Sequence, residues 1–271
     1  VTTDELIVLI VCAMISFFTW GRWYRMLFAT FARDSFRVRK PLLAGIPPAC
    51  LFVIFVMLKT TASFDVRDSA IYLLFYTIFG AAWLGAGIFL LRGIGFYPCD
   101  DAIERNNPAA AVAVCLSFVG LAECYAGANI GDGPGWWCVL FAGGLATFVW
   151  LCLLSMYQAV GRVAEEVTVE RNMNSAIRFG GFAIAAGFVC GRGAAGDWTS
   201  AQQTIIEFFD VWPLLGLIVI ACFTEHFASA GYRDGQRIEN RHQSPVPAFL
   251  CAWFYIATAI VTVLFFIPPI P

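Results

Sequence analysis

Glu123 is the one carboxylate that stands well inside an apolar run, in Val119-Gly120-Leu121-Ala122-Glu123-Cys124-Tyr125-Ala126. A charge at such depth is costly, so an ionisable group there implies a partner or a task. Arg178 is the other charge inside an apolar run, in Ala176-Ile177-Arg178-Phe179-Gly180. It falls near the opposite end of its run from Glu123, so the two are not expected to pair. Arg192, Glu207 and Asp210 lie at a depth closer to that of Glu123. Three readings of Glu123 stand open: a structural ion pair, a proton- or cation-handling group, and a solvated interfacial carboxylate.

Asn106-Asn107 and Asn172/Asn174 stand at the entrances of two apolar runs. Asn is a preferred helix N-cap, which accounts for Asn107 or Asn174 by itself. The alternative is a ring of amide oxygens around a vestibule, where helix N-termini carry partial positive charge and favour anions. Gly191-Arg192-Gly193-Ala194-Ala195-Gly196 spells GxGxxG. A dinucleotide site needs that motif between a strand and a helix, whereas here it ends an apolar run, so chance is the better reading. His226 and His242 are the only histidines and invite a haem reading, but no attachment sequence accompanies them. No HExxH, nucleophile elbow, P-loop or Ser/His/Asp grouping occurs. The expectation is a protein that is not an enzyme, with no cofactor and no metal.

The elements that must position these groups are membrane helices. Of 271 residues, 60% are hydrophobic and 13% charged, against roughly a quarter charged in soluble domains; mean hydropathy is +0.75. Apolar blocks recur at about twenty residues, the length that crosses a hydrocarbon core. Eight spans are expected, near residues 5–28, 41–58, 70–91, 108–126, 136–158, 175–191, 205–224 and 246–267. The first apolar block, Leu6 to Trp20, has acidic Asp4 and Glu5 before it and no clear cleavage site after it, so it reads as a retained span rather than a signal peptide. Net charge is −2, which offers nucleic acid no footing. Most of the ten cysteines lie in apolar blocks without CxxC or Cys/His spacing and read as small buried hydrophobes.

Two features bear on packing. Pro47-Pro48 in the second span removes two backbone donors and is expected to kink or break that helix beside a cavity; Pro213 repeats the signal more weakly. Small residues line up at helical spacing: Ala81 and Gly85; Ala109, Ala113 and Ser117 with Gly120 beside them; and Ala176, Gly180, Ala183, Gly187 and Gly191. Such stripes let helices approach closely in lipid, either within one bundle or between copies.

Glu104-Arg105-Asn106 recurs as Glu170-Arg171-Asn172, 66 residues on, and Asp100 matches Glu166 in the same frame. Gly131-Asp132 matches Gly196-Asp197, 65 residues on, and Glu239-Asn240-Arg241 is a fainter third copy. The expected plan is a single membrane domain over 1–271, built from parallel two-helix units near 1–65, 66–131, 132–197 and 198–271. The pattern resembles the bacterial inner-membrane family catalogued as domain of unknown function 350, whose unit is an acidic residue, then Asn, then an Ala-rich helix with an internal Gly. Here that is Glu104, Asn106/Asn107, Ala109-Ala110 and Gly120, then Glu170, Asn172/Asn174, Ala176 and Gly180. Pro108 against Asn174 and Arg178 against Val112 depart from strict repetition. The resemblance implies an all-α membrane bundle in a bacterial cytoplasmic membrane and brings no activity with it. Two functions remain: a non-catalytic subunit that associates with itself or with other membrane proteins, and a channel or transporter for a small ion or solute.

Thirteen Lys and Arg residues fall on one side of the eight-span scheme and three on the other, Arg178 aside. The positive-inside rule then puts both termini on the non-cytoplasmic side. A terminal fusion to a reporter active only outside the cytoplasm should be active; activity confined to fusions in the basic loops would reverse the topology.

Overall fold

A long apolar segment in lipid must satisfy its own backbone hydrogen bonds, which leaves helices or a closed barrel. The computed structural model describes residues 2–29, 39–233 and 244–268 (side chains of 39 and 229–233 excepted), and among these the chain is all-α, without strands. The helices are α1 (Thr3–Ala29), α2 (Arg39–Thr61), α3 (Phe64–Arg67), α4 (Ala70–Leu90), α5 (Pro108–Gly127), α6 (Trp136–Gly161), α7 (Val163–Thr168), α8 (Met173–Gly193), α9 (Ala201–Phe208), α10 (Leu214–Arg233) and α11 (Val246–Phe265). A 3-10 turn (Leu91–Ile94) and a π-helical turn (Pro98–Glu104) link α4 to α5. His242 and the Glu239-Asn240-Arg241 copy lie outside the described residues, as do basic residues 33, 37, 237 and 241.

Seven of these helices are long and apolar enough to cross a membrane: α1, α2, α4, α5, α6, α8 and α11. The eighth expected span differs from its prediction. In place of one helix over 205–224, α9 with its 3-10 extension meets α10 at a 46° bend. Pro213 occupies the break, where it has no N–H to continue the ladder, and α10 runs on well past 224.

Pro47-Pro48 has the opposite outcome: α2 passes through both as one helix. The carbonyls those prolines leave without an i+4 donor are those of Leu43 and Ala44. Trp23 Nε1 of α1 donates to Leu43 O at 3.2 Å, and Tyr24 Oη donates to Ala44 O at 3.0 Å. Two neighbouring side chains thus supply the two missing donors, and the break expected from α2 alone does not occur.

The centre of the bundle is α5 against α8, its most extensive helix contact. Their apolar windows are 78% buried, against 11% for α1, which places this pair inside and α1 at the periphery. They run parallel, because their N-terminal caps are joined at one end and the turns that follow them at the other. Asn107 Nδ2 donates to Val167 O at 2.7 Å; far along the helices, Gly196 N donates to Ile130 O at 2.9 Å and Asp132 N to Asp197 Oδ1 at 2.7 Å. Between these ends the backbones touch. A Cβ on Gly187 would collide with the carbonyl of Gly120, and one on Gly127 with that of Gly191. The stripe Ala176, Gly180, Ala183, Gly187 and Gly191 is therefore buried within this chain. The α5 stripe of Ala109, Ala113 and Ser117 is buried as well, and the stripe through Gly85 packs on Thr19 of α1.

Gly187→Ala should lower unfolding stability in mixed micelles by about 1–3 kcal/mol, the usual cost of overpacking. Gly144→Ala, where an added Cβ meets nothing within 4 Å, should be neutral or stabilising. Equal effects at the two positions would refute the close-contact account.

Candidate functional site

The apolar surroundings of Arg178 demand a counter-charge, and the partner is Glu225 of α10. Arg178 Nε donates to Glu225 Oε2 at 2.7 Å and its Nη2 to Oε1 at 2.8 Å, a two-pronged pairing that fits the planar guanidinium to the carboxylate. Glu225 is fully buried and Arg178 is 8% exposed. Tyr157 Oη of α6 donates to Glu225 Oε2 at 2.7 Å. Gly161 lets α6 close over the pair, since a Cβ there would collide with Glu225 Cγ. The cluster continues toward the helix entrance: Arg178 Nη2 also donates to Ser175 Oγ at 3.0 Å, Ser175 Oγ donates to Glu166 Oε2, and Asn172 Nδ2 donates to Glu166 Oε2 at 3.3 Å. Helices α6, α7, α8 and α10 are thereby tied by one buried polar network.

Asn172 Oδ1 accepts from Asn174 N (3.0 Å) and Ser175 N (3.3 Å) and caps α8. Asn107 Oδ1 accepts from Ala109 N (3.0 Å) and Ala110 N (3.2 Å) and caps α5. Of the cap candidates Asn106, Asn107, Asn172 and Asn174, the structure thus uses Asn107 and Asn172, and Asn174 instead donates its N–H to the cap. The reason lies one residue upstream, where Asn106 (φ 49°) and Arg171 (φ 58°) both take the left-handed conformation that turns the chain into the cap. Each cap N–H then reaches back six residues, Asn107 to Asp101 O and Asn172 to Glu166 O. Geometry thus aligns the two turns 65 residues apart, one residue off the frame in which Glu-Arg-Asn repeats. With both amide oxygens of Asn107 and Asn172 turned into helix N-termini, the vestibule ring is not formed by them.

Glu123 is placed apart from all of this. It lines an apolar crevice of about 370 Å³ between α2, α5, α8 and α11, together with Arg192. Its Oε2 is buried without a hydrogen-bond partner, so of the three readings open for it the structural ion pair is not formed among the described residues. Arg192 turns to the carbonyls of Ala195 (3.5 Å) and Pro268. Asp210 is exposed but within electrostatic reach of Arg192. Glu207 is exposed, accepts from Gln203 Nε2 at 2.9 Å, and borders a second, polar cavity of about 160 Å³ with Glu5, Asp65, Asn129 and Asp132. Among the described residues no three His, Cys, Asp or Glu side chains are grouped so that they could hold a metal ion, and the Gly191–Gly196 segment ends α8 with no strand before it.

Glu225, Tyr157 and Glu166 are the site residues that sequence reasoning missed. For Glu225 a signal was present. Ending the seventh span at 224 left it in a loop, yet Leu214–Thr224 continues in helical register through His226 and Phe227. The depth argument that separates Arg178 from Glu123 selects Glu225, because α8 begins at the end of the bundle where α10 finishes.

The family model described as Domain of Unknown Function (DUF350) matches residues 63–194. That stretch holds both capped turns, the α5–α8 pair, Tyr157, Glu166 and Arg178, while Glu225 lies beyond it. No curated protein and no solved structure matches the chain.

Removing one partner of a buried ion pair strands the other, at about 3–5 kcal/mol, whereas replacing both with apolar side chains is often near neutral. Glu225→Leu or Arg178→Met alone should destabilise the protein by that order in micelle unfolding, and the double variant should recover most of the loss. Additive losses in the double variant would contradict the pairing.

Proposed function

We propose, from the premise that the chain belongs to the domain of unknown function 350 family over residues 63–194, that it is a non-catalytic integral membrane subunit. In this reading its task is assembly, with itself or with other membrane proteins, in a bacterial cytoplasmic membrane with both termini on the outer side. The α5–α8 pair with its two matched turns stands as the centre of a four-unit tandem array.

One observation carries this reading: the polar groups inside the bundle are committed to separate contacts rather than to one continuous path. Arg178 is held by Glu225, Asn107 and Asn172 are held by helix N-termini, and Trp23 and Tyr24 cover the carbonyls freed by Pro47-Pro48. Transport sites in membrane proteins are built from intramembrane polar groups that face a cavity, and among the described residues neither of the two cavities above is lined by Arg178, Asn107 or Asn172. A specific observation favours the second reading, a channel or transporter: among the described residues, Glu123 keeps a buried carboxylate oxygen without a partner beside a crevice.

The purified chain in proteoliposomes should pass protons and small cations no faster than empty liposomes, and Glu123→Gln should leave that baseline unchanged. Flux in the unaltered protein that disappears in Glu123→Gln would replace the subunit reading with the transporter.

A further inference from the structure

The crevice that holds Glu123 combines three features that rarely meet in a packing defect. Its walls are apolar, with Ile46 and Val53 of α2, Val119 of α5, Phe188 of α8 and Val263 of α11. Ala49 and Val53 are exposed on α2, and Phe188 is exposed on the otherwise buried α8, so the crevice opens sideways to the lipid. Its volume of about 370 Å³ falls in the range of small-molecule sites, roughly 300–1,000 Å³.

The two ionisable groups in it are of opposite type, one acidic and one basic, and lie at similar depth. Glu123 stands four residues before the end of α5 and Arg192 one residue before the end of α8. At a rise of 1.5 Å per residue these are about 6 Å and about 1.5 Å from the helix ends, close to the boundary between hydrocarbon and headgroups. They form no ion pair with each other, and Glu123 Oε2 has no donor at all. A carboxylate acceptor, a guanidinium and an apolar slot open to the bilayer are complementary to one kind of molecule that the bilayer itself supplies.

We infer that this crevice is a lateral binding site for a zwitterionic phospholipid with a primary-amine headgroup. The ammonium donates to Glu123, the phosphate lies against Arg192, and an acyl chain occupies the slot beside α2. A glycerol-headed phospholipid offers phosphate and chain but no cation for Glu123. A choline headgroup offers a cation with no N–H to donate.

The test is native mass spectrometry of the full chain from micelles containing equimolar ethanolamine-, choline- and glycerol-headed phospholipids. The unaltered protein should retain the ethanolamine lipid over the glycerol lipid on the order of tenfold, as expected for one charge-assisted hydrogen bond. Glu123→Gln should bring the two to parity, and Arg192→Gln should lower retention of all three lipids. Ala49→Trp adds bulk at an exposed α2 position at the mouth of the crevice and should abolish retention even if Glu123→Gln fails to fold. Parity in the unaltered protein, an ethanolamine preference that survives Glu123→Gln or Ala49→Trp, or a lipid-free species of two chains joined through this face would each overturn the assignment.

Discussion

The contact between α5 and α8 is the constraint from which the rest of the bundle follows. In lipid no hydrophobic effect drives helices together, and association depends on backbone proximity and dispersion. Gly120 meeting Gly187 and Gly127 meeting Gly191 provide that proximity, because any Cβ at these points would occupy the space of a facing carbonyl. Two helices that touch so closely and run parallel require the chain to return between them, which is the work of α6. They also require their entrance turns to lie side by side. Asn107 seals that junction by capping its own helix with its oxygen and bonding Val167 and Thr168 with its nitrogen. Arg171 adds a bond to the carbonyl of Arg105 at 3.1 Å.

The same geometry places the polar groups. Once α8 is pinned on α5, its other faces receive α6, α10 and α11, and Arg178 meets Tyr157 and Glu225 within them. A buried pair of this kind contributes little net stability compared with an apolar replacement, but it strongly penalises arrangements that separate the partners. Its effect is to hold α10, a helix with little other contact to α8, in one position. The indole and phenol that cover the carbonyls of Leu43 and Ala44 act likewise on α2, where two prolines would otherwise leave acceptors bare. Glu123 is left outside this economy of partners, and for that reason its crevice carries the structure's clearest opening for a ligand.

Much of the architecture was legible before any coordinates. Block length and composition announce membrane helices, and seven of the eight expected spans correspond to helices with boundaries displaced by a few residues. The small-residue stripe of α8 named its packing face correctly. Identical letters did not fix the frame: Glu-Arg-Asn repeats at 66, whereas the left-handed residue and the cap repeat at 65, so of the four cap candidates Asn107 and Asn172 cap their helices and Asn106 and Asn174 do not. The proline pair misled on the break but not on the cavity, since a crevice does lie beside Ile46 and Ala49, whereas the break is prevented by residues some twenty positions away in another helix.

Span length, helical periodicity and the presence of caps are properties of contiguous residues, and the sequence was sufficient for them. Partner choice is not such a property. Glu225 lies 47 residues from Arg178 and Tyr157 lies 68 from Glu225; they meet because three helices share one depth and one azimuth. Depth can be estimated from a sequence, but the rotation of each helix about its axis is set by packing against its neighbours. That rotation turned Arg178 inward to a carboxylate and left Glu123 facing an apolar crevice with no donor to its Oε2.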